Sequence, residues 1–266
     1  MDRHTEAANA QIGSSLRAHD TRIVERPGWY QVITPSAGSS VGNEVVLAAI
    51  PPAEIEATVR ATIREYADAG CAFKWTVGPN EPAELGPVLD RYGFDRNEYR
   101  AMAIATTNAA PPVLAVEPVT ADTLPVYFDT FSAGWGPAGF SIANPAAWLD
   151  DHARALVDGT HAMYLAREGG EPAGTAGICF KQRSGYLIGG NVVPAFRNRG
   201  VYRALIAARL GVLAARGIPL GVTYAREATS APMLEHMGFE TVFRGWMYRL
   251  ADPRAACERF SIATRT

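Results

Sequence analysis

The feature that most constrains this chain is one supersecondary pattern written twice. A helix-like segment, 53–69, stops at Gly70; strand-like 72–77 follows, then a short helix containing Leu85 and Leu89, then Gly93-Phe94 and strand-like 99–105. A second helix-like segment stops at Gly217, and strand 221–225, short helix 232–237, Gly238-Phe239 and strand 243–250 follow it. Gly70 to Gly93 is 23 positions and Gly217 to Gly238 is 21, so the copies differ by two loop residues. Glycine suits the position just past a helix because it enters the left-handed region without steric cost. An internal duplication follows, in which each copy is a unit that needs a neighbour to cover its apolar face.

Upstream of the second copy the periodicity changes from helical to alternating. Segments 162–167, 173–180 and 186–193 read as strands joined by turns at Gly169-Gly170 and Arg183-Ser184-Gly185, an antiparallel meander. The helix that begins at 201 keeps Val201, Ala204, Leu205, Ala208, Val212 and Ala215 on one face. Its only charges are Arg203, Arg209 and Arg216, so most of its surface is expected to be covered. The strands before and after it are joined by a crossover and therefore run parallel. Helical segments 122–131 and 145–157 bracket a loop of glycines and aromatics, Gly134-Trp135-Gly136-Pro137-Ala138-Gly139-Phe140. The fold class is α/β, two domains built on a mixed sheet flanked by helices. The run Thr106-Thr107-Asn108-Ala109-Ala110-Pro111-Pro112 marks the break between units 1–110 and 111–266.

With 266 residues, 48% of them hydrophobic, the chain can bury a sizeable core. A formal net charge of -2 supplies no global basic field, which argues against nucleic acid or an anionic membrane as the main partner. No stretch reaches the roughly 18 apolar residues of a membrane span, and residues 1–20 lack a leader pattern. Cys71, Cys179 and Cys257 are far apart and read as reduced thiols, and the five histidines do not cluster. The expectation is a cytoplasmic protein without a metal site.

The chemistry of the chain is concentrated in Arg197-Asn198-Arg199-Gly200-Val201-Tyr202, a strand-to-helix turn. Free backbone N–H groups, arginine charge and the positive end of a helix dipole converge there, which is the composition of a pyrophosphate cradle. The surrounding sequence, Val192-Val193-Pro194-Ala195-Phe196 before it and Arg203-Ala204-Leu205 after it, resembles the acyl-CoA-binding motif of the GNAT superfamily of acyl-CoA-dependent N-acetyltransferases. Leu234-Glu235-His236-Met237-Gly238-Phe239 resembles that superfamily's second signature, and together the two cover about 115–250. The resemblance implies a tandem arrangement with a degenerate first copy. It implies acetyl-CoA as co-substrate, backbone groups of Val192 and Val193 along the pantetheine arm, and amides from Arg197 to Tyr202 on the pyrophosphate, with Arg203 adding charge. The pattern is broken at Tyr202, where the superfamily has a small residue; its backbone N–H still serves if the ring turns away. The first copy has Leu47-Ala48-Ala49-Ile50-Pro51-Pro52-Ala53-Glu54 at this junction, two prolines without N–H groups and a carboxylate that repels phosphate. One cofactor site per chain is expected, in the second domain. The first domain is left to buttress the fold, line the acceptor cleft or mediate oligomerisation, for example as a homodimer.

Acyl transfer from a thioester to an amine requires a neutral amine, stabilisation of the oxyanion and a proton for the thiolate. Val193 N–H is the natural oxyanion donor on the strand before the cradle. The resemblance implies a glutamate on that strand and a tyrosine in the later helix, but 186–193 has no acid and the tyrosine position is Leu234. Ser230, four residues before Leu234, is the nearest hydroxyl, with helix capping as its alternative role; Tyr224 and Glu227 are the other candidates. Trp135 and Phe140 are candidates for the acceptor site, with Asp129 and Asp150 as partners for an amine, or else core aromatics and solvated acids. The function that follows is N-acetyl transfer to a primary amine of a small molecule or peptide in a ternary complex, with a non-catalytic acyl-CoA-binding or sensing role as the alternative.

Overall fold

The computed structural model describes residues 2–37, 39–108, 111–136 and 144–264. The first half runs through α1 (Arg3–Ala8), β1 (Arg22–Arg26), β2 (Trp29–Ile33), β3 (Glu44–Ala48), α2 (Ile55–Ala69), β4 (Phe73–Val77), α3 (Leu85–Arg91) and β5 (Asp95–Ala105). The second half runs through β6 (Ala115–Pro118), α4 (Leu124–Trp135), α5 (Pro145–Asp158), β7 (His161–Glu168), β8 (Glu171–Phe180) and β9 (Ser184–Val192). It continues with α6 (Val201–Ala215), β10 (Leu220–Arg226), α7 (Ser230–Glu235), β11 (Glu240–Leu250) and α8 (Pro253–Arg259). The four glycines that set the repeat all have positive φ: 72° at Gly70, 80° at Gly93, 69° at Gly217 and 88° at Gly238. Each ends a helix in the left-handed conformation and turns the chain into the next strand, so the two copies fold by the same local device.

The eleven strands of the described residues form one sheet in the order β1-β2-β3-β4-β11-β5-β10-β9-β8-β7-β6. β3 and β4 pair parallel across α2, and β9 and β10 pair parallel across α6, as the crossover rule requires. The remaining pairing was not legible from periodicity. β11 lies between β4 and β5, pairing Tyr248 with Trp75, while β5 lies between β11 and β10, pairing Met102 with Thr223. Each half therefore gives its last strand to the other, and the two exchanged strands pair antiparallel at the centre of the sheet.

The cores follow the exchange. Trp75, Phe73, Ile63 and Tyr66 pack with Tyr248 and Leu250 of β11 and with Ala256 and Cys257 of α8. Leu187, Leu205, Leu210 and Leu234 pack with Met102 and Ile104 of β5. A separate layer lies over the middle of the sheet: Ala7 and Ala10 cover Tyr99, Ala101, Tyr186 and Val222. This N-terminal segment is tied down by the Tyr224 hydroxyl, which donates to Ala7 O at 2.9 Å, by His161 Nε2 on Ser14 O at 2.9 Å, and by Ser184 Oγ donating to Glu6 at 2.6 Å.

Candidate active site

Parallel pairing of β9 with β10 stops at Tyr186 and Val222, after which the strands part. Thr223 Oγ1 still donates to Leu187 O at 2.9 Å, and beyond it the edge of β9 is open. On the other side of β9 the register shifts: Thr175 opposes Asn191 and Gly177 opposes Ile188, so Gly189 and Gly190 together face a single residue of β8. Gly189 has φ +62°, the left-handed value at which a bulge favours glycine. Alternate residues of a strand turn their N–H groups to opposite neighbours. Val193 N–H donates to Ala173 O of the neighbouring strand at 2.9 Å, which turns Val192 and Gly190 toward the gap. The expectation that Val193 N–H meets the oxyanion is thereby corrected: pairing with the β8 side continues past the end of β9 and takes that donor.

The cradle closes the open end of this gap. A single 3-10 turn, Pro194–Phe196, is followed by Arg197 in extended conformation, Asn198 at φ +62° and Gly200 at φ +83° as the N-cap of α6. Asparagine is among the residues that tolerate the left-handed region, and glycine enters it freely. Side chains of Asp2, Asn144 and Asp252 cap α1, α5 and α8, whereas no side chain caps α6. The first backbone donor satisfied within α6 is Ala204 N–H, on Gly200 O at 2.9 Å. The amides from Asn198 to Arg203 have no partner among the described residues and lie at the positive end of a 15-residue helix. Arg203 is exposed; Arg199 lies 3.7 Å from Glu168; Arg197 bends over the gap toward Val192 O at 3.4 Å and Gly134 O at 3.5 Å. The Tyr202 ring turns inward, to within 3.0 Å of where a Gly190 side chain would begin, so the larger residue leaves the cradle clear.

In the first half the equivalent gap is filled from within. The Glu81 carboxylate accepts from Ala48 N at 3.1 Å and from Gly78 N at 2.8 Å, joining the ends of β3 and β4. Burial holds its pKa above the ordinary carboxylate value. With Pro51 and Pro52 leading into α2, neither donors nor space resemble those beside α6.

Helix α4 ends across the mouth of the second gap. Asn191 Nδ2 donates to Phe131 O at 3.2 Å, and Asn191 Oδ1 accepts from Thr175 Oγ1 at 2.9 Å. Trp135 stands edge to face with Phe131, and the Arg226 guanidinium from the end of β10 lies 5.4 Å from its ring centroid. The indole Nε1 of Trp135 is buried and has no hydrogen-bond partner among the described residues. Phe140 lies outside the described residues. Asp129 and Asp150 are exposed on α4 and α5.

The three acid-base candidates are all engaged elsewhere. Ser230 Oγ accepts the Arg226 amide at 2.9 Å, a turn-capping bond at the start of α7. Tyr224 is stacked on Tyr99 at 4.6 Å, and burial pushes its phenol far above the usual range while its hydroxyl holds the N-terminal segment. Glu227 is gripped by Arg100, at 2.5 Å and 2.7 Å, and by Arg244. Hydrogen bonding to Arg100 holds the Glu227 carboxyl at about 2, too low for a base that must take a proton near neutral pH. Leu234 is fully buried in the core. Two features went unread in the sequence although their signals were present: adjacent glycines inside a strand, Gly189-Gly190, and an arginine in line with Leu205 and Leu213 on the covered face of α6. Among the described residues no group of three or more His, Cys, Asp or Glu could hold a metal ion, and no helix is long and apolar enough to cross a membrane.

Residues 123–239 match the model of the acetyltransferase (GNAT) family. No curated protein sequence matches the chain. Among solved structures, a GCN5-related N-acetyltransferase from Kribbella flavida is similar over 94% of this chain and 96% of its own, with TM-score 0.66 and 15% identity. A functionally unknown conserved protein from Staphylococcus epidermidis covers 89% of this chain and 96% of its own, with TM-score 0.63 and 11% identity. A tandem GNAT protein from the clavulanic acid biosynthesis pathway covers 92% and 86%, with TM-score 0.57 and 13% identity. At these identities the structures establish likeness of fold, and the family match identifies the unit that holds the gap and the cradle. Residues 123–239 of this chain are thus similar to the acetyltransferase (GNAT) family, and the chain as a whole has a fold like that of a tandem GNAT protein.

Proposed function

We propose that this protein is an acyl-CoA-dependent N-acyltransferase, with acetyl-CoA as acyl donor and a primary amine of a small molecule or peptide as acceptor. Residues 111–266 form the transferase unit, and residues 1–110 are the degenerate copy that buttresses it. The observation that carries the reading is the row of unpartnered amides from Asn198 to Arg203 at the open end of the gap between β9 and β10. Oxygen-rich anions are the ligands such a row satisfies. Arg197, Arg199 and Arg203 supply the charge that holds a pyrophosphate. Val192 and Gly190 present backbone groups to the pantetheine arm and the thioester, and Trp135 offers an indole donor at the acceptor end.

The nitrogen of the neutral amine attacks the thioester carbon, the C–S bond breaks, and the amine proton passes through solvent to the released thiolate. Amides at the bulge meet the oxyanion. Among the described residues no carboxylate is free for base catalysis beside β9, so positioning of two reactants in one cleft supplies most of the acceleration. Thiol release from acetyl-CoA across an amine panel tests this: turnover on at least one amine is expected. Tight binding with no turnover on any acceptor favours the second reading, a non-catalytic acyl-CoA sensor, for which the committed Glu227 is the supporting observation.

A further inference from the structure

Among the described residues Arg209 is the one arginine placed inside the core of the second half, 1% exposed. Its Nε donates to Leu205 O at 3.0 Å, and its Nη1 donates to Gly177 O at 3.1 Å and Ile188 O at 3.3 Å. Gly177 and Ile188 are the cross-strand pair immediately before the Gly189-Gly190 bulge. Nη2 lies 3.4 Å from the point where a Gly190 side chain would begin, on the α6 face of the strand whose N–H turns into the gap. No carboxylate pairs with Arg209 among the described residues; the titratable groups around it are the phenols of Tyr127, Tyr164 and Tyr202, which burial keeps neutral at neutral pH. Burial lowers its pKa to about 10, which leaves it a cation at neutral pH.

Three carbonyls alone do not call for a cation, since a neutral amide or an indole donates to a carbonyl without the desolvation cost of a full charge. A buried positive charge without a counterion is accounted for by negative charge that arises at that place during the reaction. In a site of low dielectric a fixed charge beneath the thioester acts strongly on the oxyanion and weakly on the neutral ground state. We infer that Arg209 is a positioning residue for acyl transfer: from beneath β9 it fixes the bulge and polarises the thioester carbonyl received by the backbone of Gly190. This inference rests on the acyl-transfer reading above.

The test is the carbonyl stretch of acetyl-CoA carrying carbon-13 in its thioester, measured by isotope-edited infrared spectroscopy on the full chain, together with kcat and calorimetric affinity. Bound to the wild type, the carbonyl band is expected to shift to lower frequency than in solution. Arg209→Gln keeps a donor without charge, and is expected to lose most of that shift and about 100-fold in kcat, with acetyl-CoA affinity changed less than about threefold. Arg209→Lys keeps the charge and is expected to retain most of the shift. An unshifted band in the bound wild type, or Arg209→Gln matching Arg209→Lys in shift and kcat, overturns the inference. Failure of the wild type to bind acetyl-CoA is a different result and overturns the acyl-transfer reading on which the inference rests.

Discussion

Gly200→Glu separates the electrostatics of the cradle from its backbone shape. Gly200 has φ +83° and nothing lies within 4 Å of where a side chain would begin, so any residue there projects into the space in front of α6 without striking the fold. Placing a side-chain-bearing residue in the left-handed region costs about 1–2 kcal/mol. For a chain of this length that corresponds to a fall in Tm of roughly 2–6 °C, partly offset by the favourable position of a carboxylate at a helix N-terminus. The effect on binding is larger. A carboxylate about 5 Å from two phosphate charges is repelled by about 2 kcal/mol in water-like surroundings and by about 6 kcal/mol at an effective dielectric near 20. The affinity for acetyl-CoA should therefore fall at least about 20-fold. Gly200→Ala carries the same backbone strain without the charge and should bind within about threefold of the wild type. Calorimetric titration of both variants, with circular dichroism to confirm the fold, decides the matter. Equal affinities in Gly200→Glu and Gly200→Ala would refute the placement of an anion at these amides.

Other predictions follow from the buried and paired groups. Hydrogen bonding to Arg100 depresses the Glu227 carboxyl to about 2 in the folded state, so its stabilising contribution is present above the ordinary value of 4.5 and is lost as pH falls toward 2. The Tm difference between wild type and Glu227→Gln should close over that window, with kcat at neutral pH unchanged within about threefold; a large loss of kcat would restore Glu227 as a base. Burial lowers the His152 imidazole to about 4, with Trp148 stacked on it at 3.3 Å. Unfolded chains take up this proton from about pH 6.5 downward, so stability should decline from there to about pH 4, at up to about 1.4 kcal/mol per pH unit; an NMR titration midpoint near 6.5 would contradict the burial. Tyr224→Phe removes the bond to Ala7 O, which should cost about 1 kcal/mol and speed proteolysis within residues 2–15 while leaving kcat unchanged. A selective loss of kcat would make the phenol an acid after all.

The second copy was the most legible part of the chain, because its strands alternate cleanly, α6 has a continuous apolar face and Gly200 stands where a capping residue would otherwise be. The glycine pairs at 70 and 93 and at 217 and 238 exposed the duplication for the same reason: a helix end needs one particular backbone conformation. The exchange of β5 and β11 was not legible. Both strands are long and follow equivalent helices, and periodicity reports which face of a strand is buried, not which neighbour it pairs with. The N-terminal segment was hidden by composition, since its buried residues are two alanines, Ala7 and Ala10, and two polar residues, Gln11 and Ser14, and its anchors are hydroxyls and carbonyls far away in sequence. Glu81 was equally silent, because a lone glutamate between two strands reads as solvated until its two amide partners are known. Arg209 could have been found: a cation on the covered, otherwise apolar side of α6 breaks the pattern that defines it.

Acyl transfer as proposed requires one acyl-CoA in the second gap, with its pyrophosphate on the amides of α6. A crystal structure of the full chain with acetyl-CoA tests it most directly. One molecule per chain is expected, with phosphate oxygens on the amides from Asn198 to Arg203 and the thioester beside Gly190. An acetyl-CoA seated instead between β3 and β4, where Glu81 now joins the strands, or a pyrophosphate away from the N-terminus of α6, would contradict it.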